Sequence, residues 1–316
     1  GILPSFLFRH LLQRAVTIHK ADLAIDLPPC TQEPPQHLQP APEQLAEYQR
    51  MLRALLDAIR GDAFSPLAGK LFGALADFPS FLDRCTADAG NQEGGGYVIR
   101  YPESVGGMEV ARAKPLPAGM VLPKEAWMLD RIEAELAEGR NVLVFGWHLE
   151  LLPRLARLIQ QRIKEPASIL YASKVPTAKR QDWIDREIVR PGRRVLLANP
   201  VTIQTGLNNL VHFSTEIFYE NPACNPIVKR QAEGRVDRIG QTRPTRILFP
   251  LYAPSLQIAL YKLLMDKVAI STATDGLDPE GALRAAGVAD DEYLAGLSIG
   301  KQLWAMLSGE GGRRAS

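Results

Sequence analysis

Residues 141–172 read NVLVFGWHLELLPRLARLIQQRIKEPASILYA. Two short apolar runs, NVLVF at 141–145 and SILYA at 168–172, flank a stretch at 149–163 in which leucine and isoleucine return at helical spacing. A run that is apolar throughout has no side to turn to water, so it must be buried on both faces, which is the condition of a strand in a parallel sheet. The same texture continues in both directions. Upstream, a helix near 124–138 is closed by Gly139; downstream come a helix from Thr177, then RVLLA at 194–198, EIFYE at 216–220 and RILFP at 246–250. Strands alternating with helices predict an α/β fold, a doubly wound parallel sheet with helices on both faces. In such sheets ligands gather beyond the carboxyl ends of strands, so the informative residues are expected just after those runs.

The flanks are less regular. Residues 1–60 join an apolar opening to a proline-rich connector, LPPCTQEPPQHLQPAP, and a helix in which Leu45, Tyr48, Leu52, Leu55, Leu56 and Ile59 share a face, with Gly61 as its stop. Residues 61–122, with GNQEGGG and Gly106-Gly107, read as an irregular or helical insertion. The sheet domain is drawn at 123–270 and a tail at 271–316. The 316 residues are 46% hydrophobic and carry 37 Lys and Arg against 35 Asp and Glu, a net charge of +2, so any polyanion surface has to come from local clustering. Three distant cysteines and five histidines without ligand spacing argue against a disulfide framework or a zinc site. No signal peptide or membrane span is legible, which makes an intracellular protein the expectation.

The sharpest motif is Gln231-Ala-Glu-Gly-Arg235-Val-Asp-Arg238-Ile-Gly-Gln241. Two arginines three apart on a helix share one side and can reach one anion. Arginine suits that task because its planar fork stays charged and grips phosphate with two parallel bonds. Arginines at this spacing alone describe many solvated helices; the eleven-residue pattern does not.

That run resembles motif VI of superfamily two helicases, and its Arg-Ile-Gly-Gln ending resembles the Swi/Snf branch. RVLLANPVTIQTGLNNL is similar to motif V, with Gly206 and Asn208 at its Gly-x-Asn core. EIFYENPACNPIVKRQ resembles the strand, acidic residue and Asn-Pro that lead into motif VI, with Glu220, Asn225 and Pro226 in place. NVLVFGWHLELL resembles motif IV, and LAIDLPPC with EQLAEYQRML is similar to the family's entry connector. Gly234, Asp237, Cys224 and Thr202-Ile203-Gln204 depart from the family pattern, which marks a divergent and bacterial-looking member.

The resemblance implies a RecA-like C-terminal lobe of an ATP-driven double-stranded DNA translocase. Arg235 and Arg238 would be its catalytic arginine fingers, with Gln231, Gly206 and Asn208 against the nucleotide. No Gly-x-x-x-x-Gly-Lys-Ser/Thr loop and no acidic box is present, so ATP and Mg2+ would be held mainly by an N-terminal RecA-like lobe preceding this chain, and the chain alone would bind neither and be inactive. Lys229, Arg230, Arg235, Arg238, Arg243 and Arg246 make residues 229–246 basic; Lys174, Lys179 and Arg180 form a second group. Of these, Lys174, Lys179, Arg180 and Arg243, with Thr202, are expected on duplex DNA, whose phosphates supply affinity without sequence information. A cytoplasmic, nucleoid-associated location follows, with no membrane partner. A strand-separating DNA or RNA helicase, or a non-catalytic interaction module that kept the fold, are the alternatives. Cys224 with His212 lacks an orienting group and is read as structural.

Overall fold

In chain order the elements are β1 (Cys30–Gln32), β2 (Gln36–Leu38), α1 (Pro42–Ile59), β3 (Val98–Tyr101), β4 (Met108–Arg112), α2 (Pro123–Ala137), β5 (Val142–Phe145), α3 (Leu152–Arg162), β6 (Ala167–Leu170), α4 (Arg180–Ile184), β7 (Val195–Ala198), α5 (Pro200–Ile203), β8 (Thr215–Phe218), α6 (Pro226–Val236), β9 (Thr245–Leu248), β10 (Pro250–Tyr252) and α7 (Leu256–Thr274). The computed structural model describes residues 27–59, 73–80, 97–101, 107–114, 116–117, 119–204, 207–221 and 225–274. The expected features at 1–26, Gly61, Gly206, Cys224 and the tail beyond 274 lie outside the described residues.

Six strands form one sheet in the order β1-β9-β8-β5-β7-β6, parallel throughout. The apolar runs explain its centre: every residue of β5 and β7 is buried. Alternating side chains serve two cores. Val142, Val144, Val195 and Leu197 meet Met128, Ile132, Leu155 and Ile159 of α2 and α3 on one face. Leu143, Phe145, Leu196 and Ala198 meet Ile184, Ile203, Ala232 and Val236 of α4 to α6 on the other. Handedness accounts for the split. From β5 the chain moves outward to β6 and returns inward to β7, and right-handed crossovers in opposite directions put their helices on opposite faces.

Local chemistry sets the boundaries. Proline opens α2, α5 and α6 at positions whose amide would be unbonded anyway. Glu125 accepts from Leu122 N at 2.8 Å and is itself buried, because Arg154 Nε and Nη2 reach its two oxygens at 2.5 and 2.9 Å. Gly139 ends α2 with φ +75°, a region where a Cβ is strained. At α7 the Ser255 hydroxyl accepts from Gln257 N at 3.2 Å, the expected cap.

Two segments differ from expectation. The boundary at residue 60 does not separate bodies, since β1 of the connector pairs with β9 as the sheet's edge strand and β2 pairs with β10. Such short polar strands have no periodicity of their own and form because β9 and β10 offer unpaired edges. Within 61–122 there is an antiparallel hairpin, β3 with β4, and not helix alone. Its Ile99 and Ala111 join Tyr48, Met51 and Leu55 of α1 in the first core.

Candidate functional site

Motif VI forms α6. Asn225 caps it, its side-chain oxygen accepting from Ile227 N at 3.1 Å and Val228 N at 3.2 Å, so the helix begins immediately beyond the strand end at β8. Arg235 lies in its last turn and Arg238 just past it. Both reach the segment after α5. Arg235 donates through Nε and Nη2 to Gln204 O at 3.2 and 2.5 Å and through Nη1 to Leu207 O at 3.3 Å. Arg238 Nη1 donates to the same Leu207 O at 3.1 Å and to Asn208 Oδ1 at 2.5 Å. The structure thus brings Asn208 onto the arginine pair, uniting two segments that the sequence offers separately. Gln231 is exposed one turn before Arg235.

Two guanidiniums on one carbonyl oxygen repel each other. Burial, and then the charge of Arg238, push the Arg235 guanidinium below its ordinary pKa. An anion placed between them would relieve both penalties, so the pair is built to gain from one.

The expected DNA set does not form one track. Lys174 and Lys179 are exposed beyond the carboxyl end of β6, with Lys174 Nζ 4.9 Å from the Tyr171 ring. Arg243 precedes β9, which puts it at the opposite edge of a parallel sheet, where its Nη1 donates to Gly139 O at 2.8 Å. Arg180 and Thr202 are corrected outright. They are 7% and 5% exposed, and Arg180 Nη1 donates to Thr202 O at 2.9 Å, so neither side chain is presented to a ligand. Two more basic residues of 229–246 are spent internally. Lys229 is buried against Glu233 and Gln32, and Arg246 bonds Glu135 and Glu138.

The arginines also miss the strand ends, because α6 runs back along the sheet and carries Arg235 in its last turn and Arg238 just past its end. What occupies the strand ends is a cluster that the sequence reading did not assemble. β5 and β8 are neighbours whose following connections lead to opposite sides, the switch point where doubly wound sheets open a crevice. There His148 donates its main-chain N–H to Glu220 Oε2 at 2.9 Å and faces Oε1 through Nδ1 at 3.0 Å; its Nε2 lies 3.5 Å from Asp77. A Cβ on Gly146 would come within 2.6 Å of buried Leu152 Cδ2, so glycine lets the chain turn here. Lys124 is 1% exposed, donates to Gln257 Oε1 at 3.2 Å and lies 4.9 Å from the Tyr219 ring. Burial draws its pKa down to about 7 against the opposing pull of Glu220 and Asp77. Asn221, whose amide atoms are both buried without a partner, lines the adjoining cavity of about 20 Å³, room for roughly one water. The strand-end rule was the available signal; the contribution of Asp77 from a segment 70 residues upstream carried none.

Comparison with known proteins follows from this geometry. No protein-family model and no curated protein sequence matches the chain. Solved structures do match. The C-terminal part of the Fun30 ATPase domain superposes with a TM-score of 0.56 at 16% identity, covering 80% of this chain and 98% of that one. The fold is RecA-like, similar to that of SNF2 ATPase domains. The Sulfolobus solfataricus SWI2/SNF2 ATPase core in complex with dsDNA matches with a TM-score of 0.52 at 18% identity, over 88% of this chain and 52% of that one. This RecA-like chain therefore spans about half of that core. Among the described residues no helix is long and apolar enough to cross a membrane.

Proposed function

We propose that this chain is the C-terminal half of an ATP-driven double-stranded DNA translocase of the Swi/Snf type. In this reading Arg235 and Arg238 reach a nucleotide held mainly by an N-terminal RecA-like lobe. The observation that carries it is the convergence of both guanidiniums on Leu207 O, with Arg238 also on Asn208 Oδ1. Phosphoryl transfer spreads charge over the equatorial oxygens of the moving group, and positioned arginines stabilise that charge more than they stabilise bound substrate. In this reading Gln231, exposed one turn before Arg235, makes a ground-state contact with the nucleotide, and Asn208, bonded to Arg238, lies against it, with Gly206 assigned the same part by its place in the sequence. The arginine site offers guanidiniums and one amide oxygen, and among the described residues no group of three His, Cys, Asp or Glu side chains is placed to hold a metal ion, so these residues do not fit a magnesium ion. Any metal enters with the nucleotide and the other lobe.

Duplex DNA is supported as partner by the SWI2/SNF2 core solved on dsDNA and by Lys174 and Lys179, which are both exposed on the segment that follows β6. A bacterial cytoplasm, at the nucleoid, is the compartment such an activity implies. The test is ATP hydrolysis by the natural full-length protein with several unrelated duplexes. Strong stimulation by every duplex supports the reading; hydrolysis indifferent to duplex, or stimulated by single strands alone, rejects it.

A further inference from the structure

Arg180, taken by its sequence position for a DNA contact, is one of the most demanding charges in the molecule to bury. It opens α4 directly after exposed Lys179, yet its guanidinium is inside, with Nε on Val175 O at 3.2 Å and Nη1 on Thr202 O at 2.9 Å. Both acceptors are main-chain carbonyls. A buried arginine so held gives up hydration and is compensated only while the two carbonyls keep their places. Its geometry therefore ties the 171–179 segment, which carries Lys174, to the short helix α5 at Thr202.

Helix α4 also grips the chain beyond α5. Asn209 Nδ2 donates to Gln181 O at 2.9 Å and to Asp185 Oδ1 at 2.7 Å, while its Oδ1 is buried without a partner. Residues 180–185 thus bracket the segment between Thr202 and Asn209. Within that bracket lie the carbonyls of Gln204 and Leu207, the acceptors of Arg235 and Arg238. Asp185 also begins a π-helical turn, Asp185–Val189, closed by Arg190 N on Asp185 O at 2.9 Å, and Ile184 and Ile188 anchor it in the second core. A π turn beside a helix is uncommon and occurs frequently at functional sites.

We propose that α4, acting through Arg180 and Asn209 as positioning residues, transmits duplex contact at Lys174 and Lys179 to the segment that holds the arginine pair. This rests on the translocase reading and names the part that would link its two surfaces. The path combines hydrogen bonds with short stretches of main chain: Val175 O accepts from Arg180, Arg180 reaches Thr202 O, Asn209 reaches Gln181 O of α4, and the carbonyls of Gln204 and Leu207 accept from Arg235 and Arg238. No side chain of α4 needs to touch DNA or nucleotide.

The test uses Arg180→Lys, which keeps the charge but loses the fork, and Asn209→Ala, which releases the other side of the bracket. Duplex affinity is read by fluorescence anisotropy, hydrogen exchange of residues 203–212 is read with and without duplex, and DNA stimulation of ATP turnover is read in the full-length protein. The expected result is duplex affinity within about threefold of the parent, loss of the duplex-induced protection at 203–212, and a stimulation ratio lower by about tenfold, inside the usual range of coupling between sites. A merely structural staple would lower the melting temperature and leave the protection and the ratio in place, which overturns the proposal. Affinity and stimulation falling together would overturn it too, since Arg180 would then serve DNA binding itself. Should Arg180→Lys fail to fold, Asn209→Ala decides alone. A parent protein that neither binds duplex nor responds to it sinks the translocase reading and this inference together, whereas binding and stimulation without protection at 203–212 sinks the inference only.

Discussion

Arg235 and Arg238 share an acceptor: Nη1 of each lies within 3.3 Å of Leu207 O. One carbonyl oxygen is weak compensation for two cations, and the arrangement persists because Gln204 O and Asn208 Oδ1 take the remaining donors. The pair is held in a ready geometry by uncharged acceptors, which an anion would outcompete.

Removing either guanidinium should therefore act on turnover. In the full-length protein Arg235→Ala and Arg238→Ala are each expected to reduce DNA-stimulated ATP hydrolysis by roughly a thousandfold while leaving nucleotide affinity within a small factor, because the other lobe supplies most ground-state contacts. Lysine should not rescue, lacking the fork. Arg243→Ala, whose guanidinium is engaged on Gly139 O at the opposite edge, should cost little turnover. Steady-state kinetics at saturating ATP and duplex decide it; near-normal turnover in both motif variants would end the arginine-finger reading.

This chain by itself should hydrolyse ATP no faster than a buffer blank, with or without duplex. It offers arginines but no phosphate-cradling loop in its sequence and, among its described residues, no set of metal ligands. Duplex-dependent turnover that copurifies with the chain through two orthogonal columns would show that the cradle had been missed.

The sheet was legible because its centre is made of runs such as VLVF and VLLA, where burial on both faces leaves no choice of residue type. The helix carrying the arginines was legible for a different reason, an Asn-Pro start and a motif whose spacing needs no tertiary knowledge. What stayed hidden depended on contacts between distant segments. Gln32 and Gln36 lie in strands only because β9 and β10 present open edges. Arg180 and Lys179 are adjacent and equally basic, and nothing local tells that one is buried and the other exposed. Glu216, inside β8, has its pKa raised well above the ordinary carboxylate value by burial first and by Glu233 next, a cost invisible until α6 is laid over the sheet.

Duplex binding should follow the exposed lysines alone. Each phosphate contact contributes close to one to the slope of log affinity against log salt. Lys174→Ala and Lys179→Ala should each lower that slope by about one and weaken all duplex sequences alike, while Arg243→Ala leaves the slope unchanged. Anisotropy titrations at four salt concentrations on two unrelated duplexes measure this. A variant-dependent sequence preference, or a slope that responds to Arg243 and not to the lysines, would remove Lys174 and Lys179 from the interface.

Lys124 sets a pH dependence whose sign can be worked out. Its pKa falls from 10.5 to about 7 on folding, so between those values the unfolded chain holds a proton that the folded chain has released. Stability then rises with pH across that window and is lost as pH falls through about 7, where the buried ammonium must form beside Tyr219 and Tyr252. Above pH 10 the buried tyrosines oppose the trend, because Tyr48, Tyr219 and Tyr252 keep their protons in the fold and surrender them on unfolding. Glu216 also opposes it from the acid side, its raised pKa favouring the fold at low pH. The lysine's part is isolated by difference, comparing the parent with Lys124→Met, which fills the same volume without a charge. Denaturant unfolding of both between pH 6 and 9.5 should show the parent gaining stability relative to the variant as pH rises, by on the order of a few kcal/mol in total. At pH 6 Lys124→Met should be the more stable of the two, despite leaving Glu220 and Gln257 without the ammonium, because the desolvation of Lys124 outweighs those contacts. Parallel pH profiles for the two proteins would mean that Lys124 keeps an ordinary pKa in the fold, with water reaching it through the small cavity lined by Asn221 and Asp77.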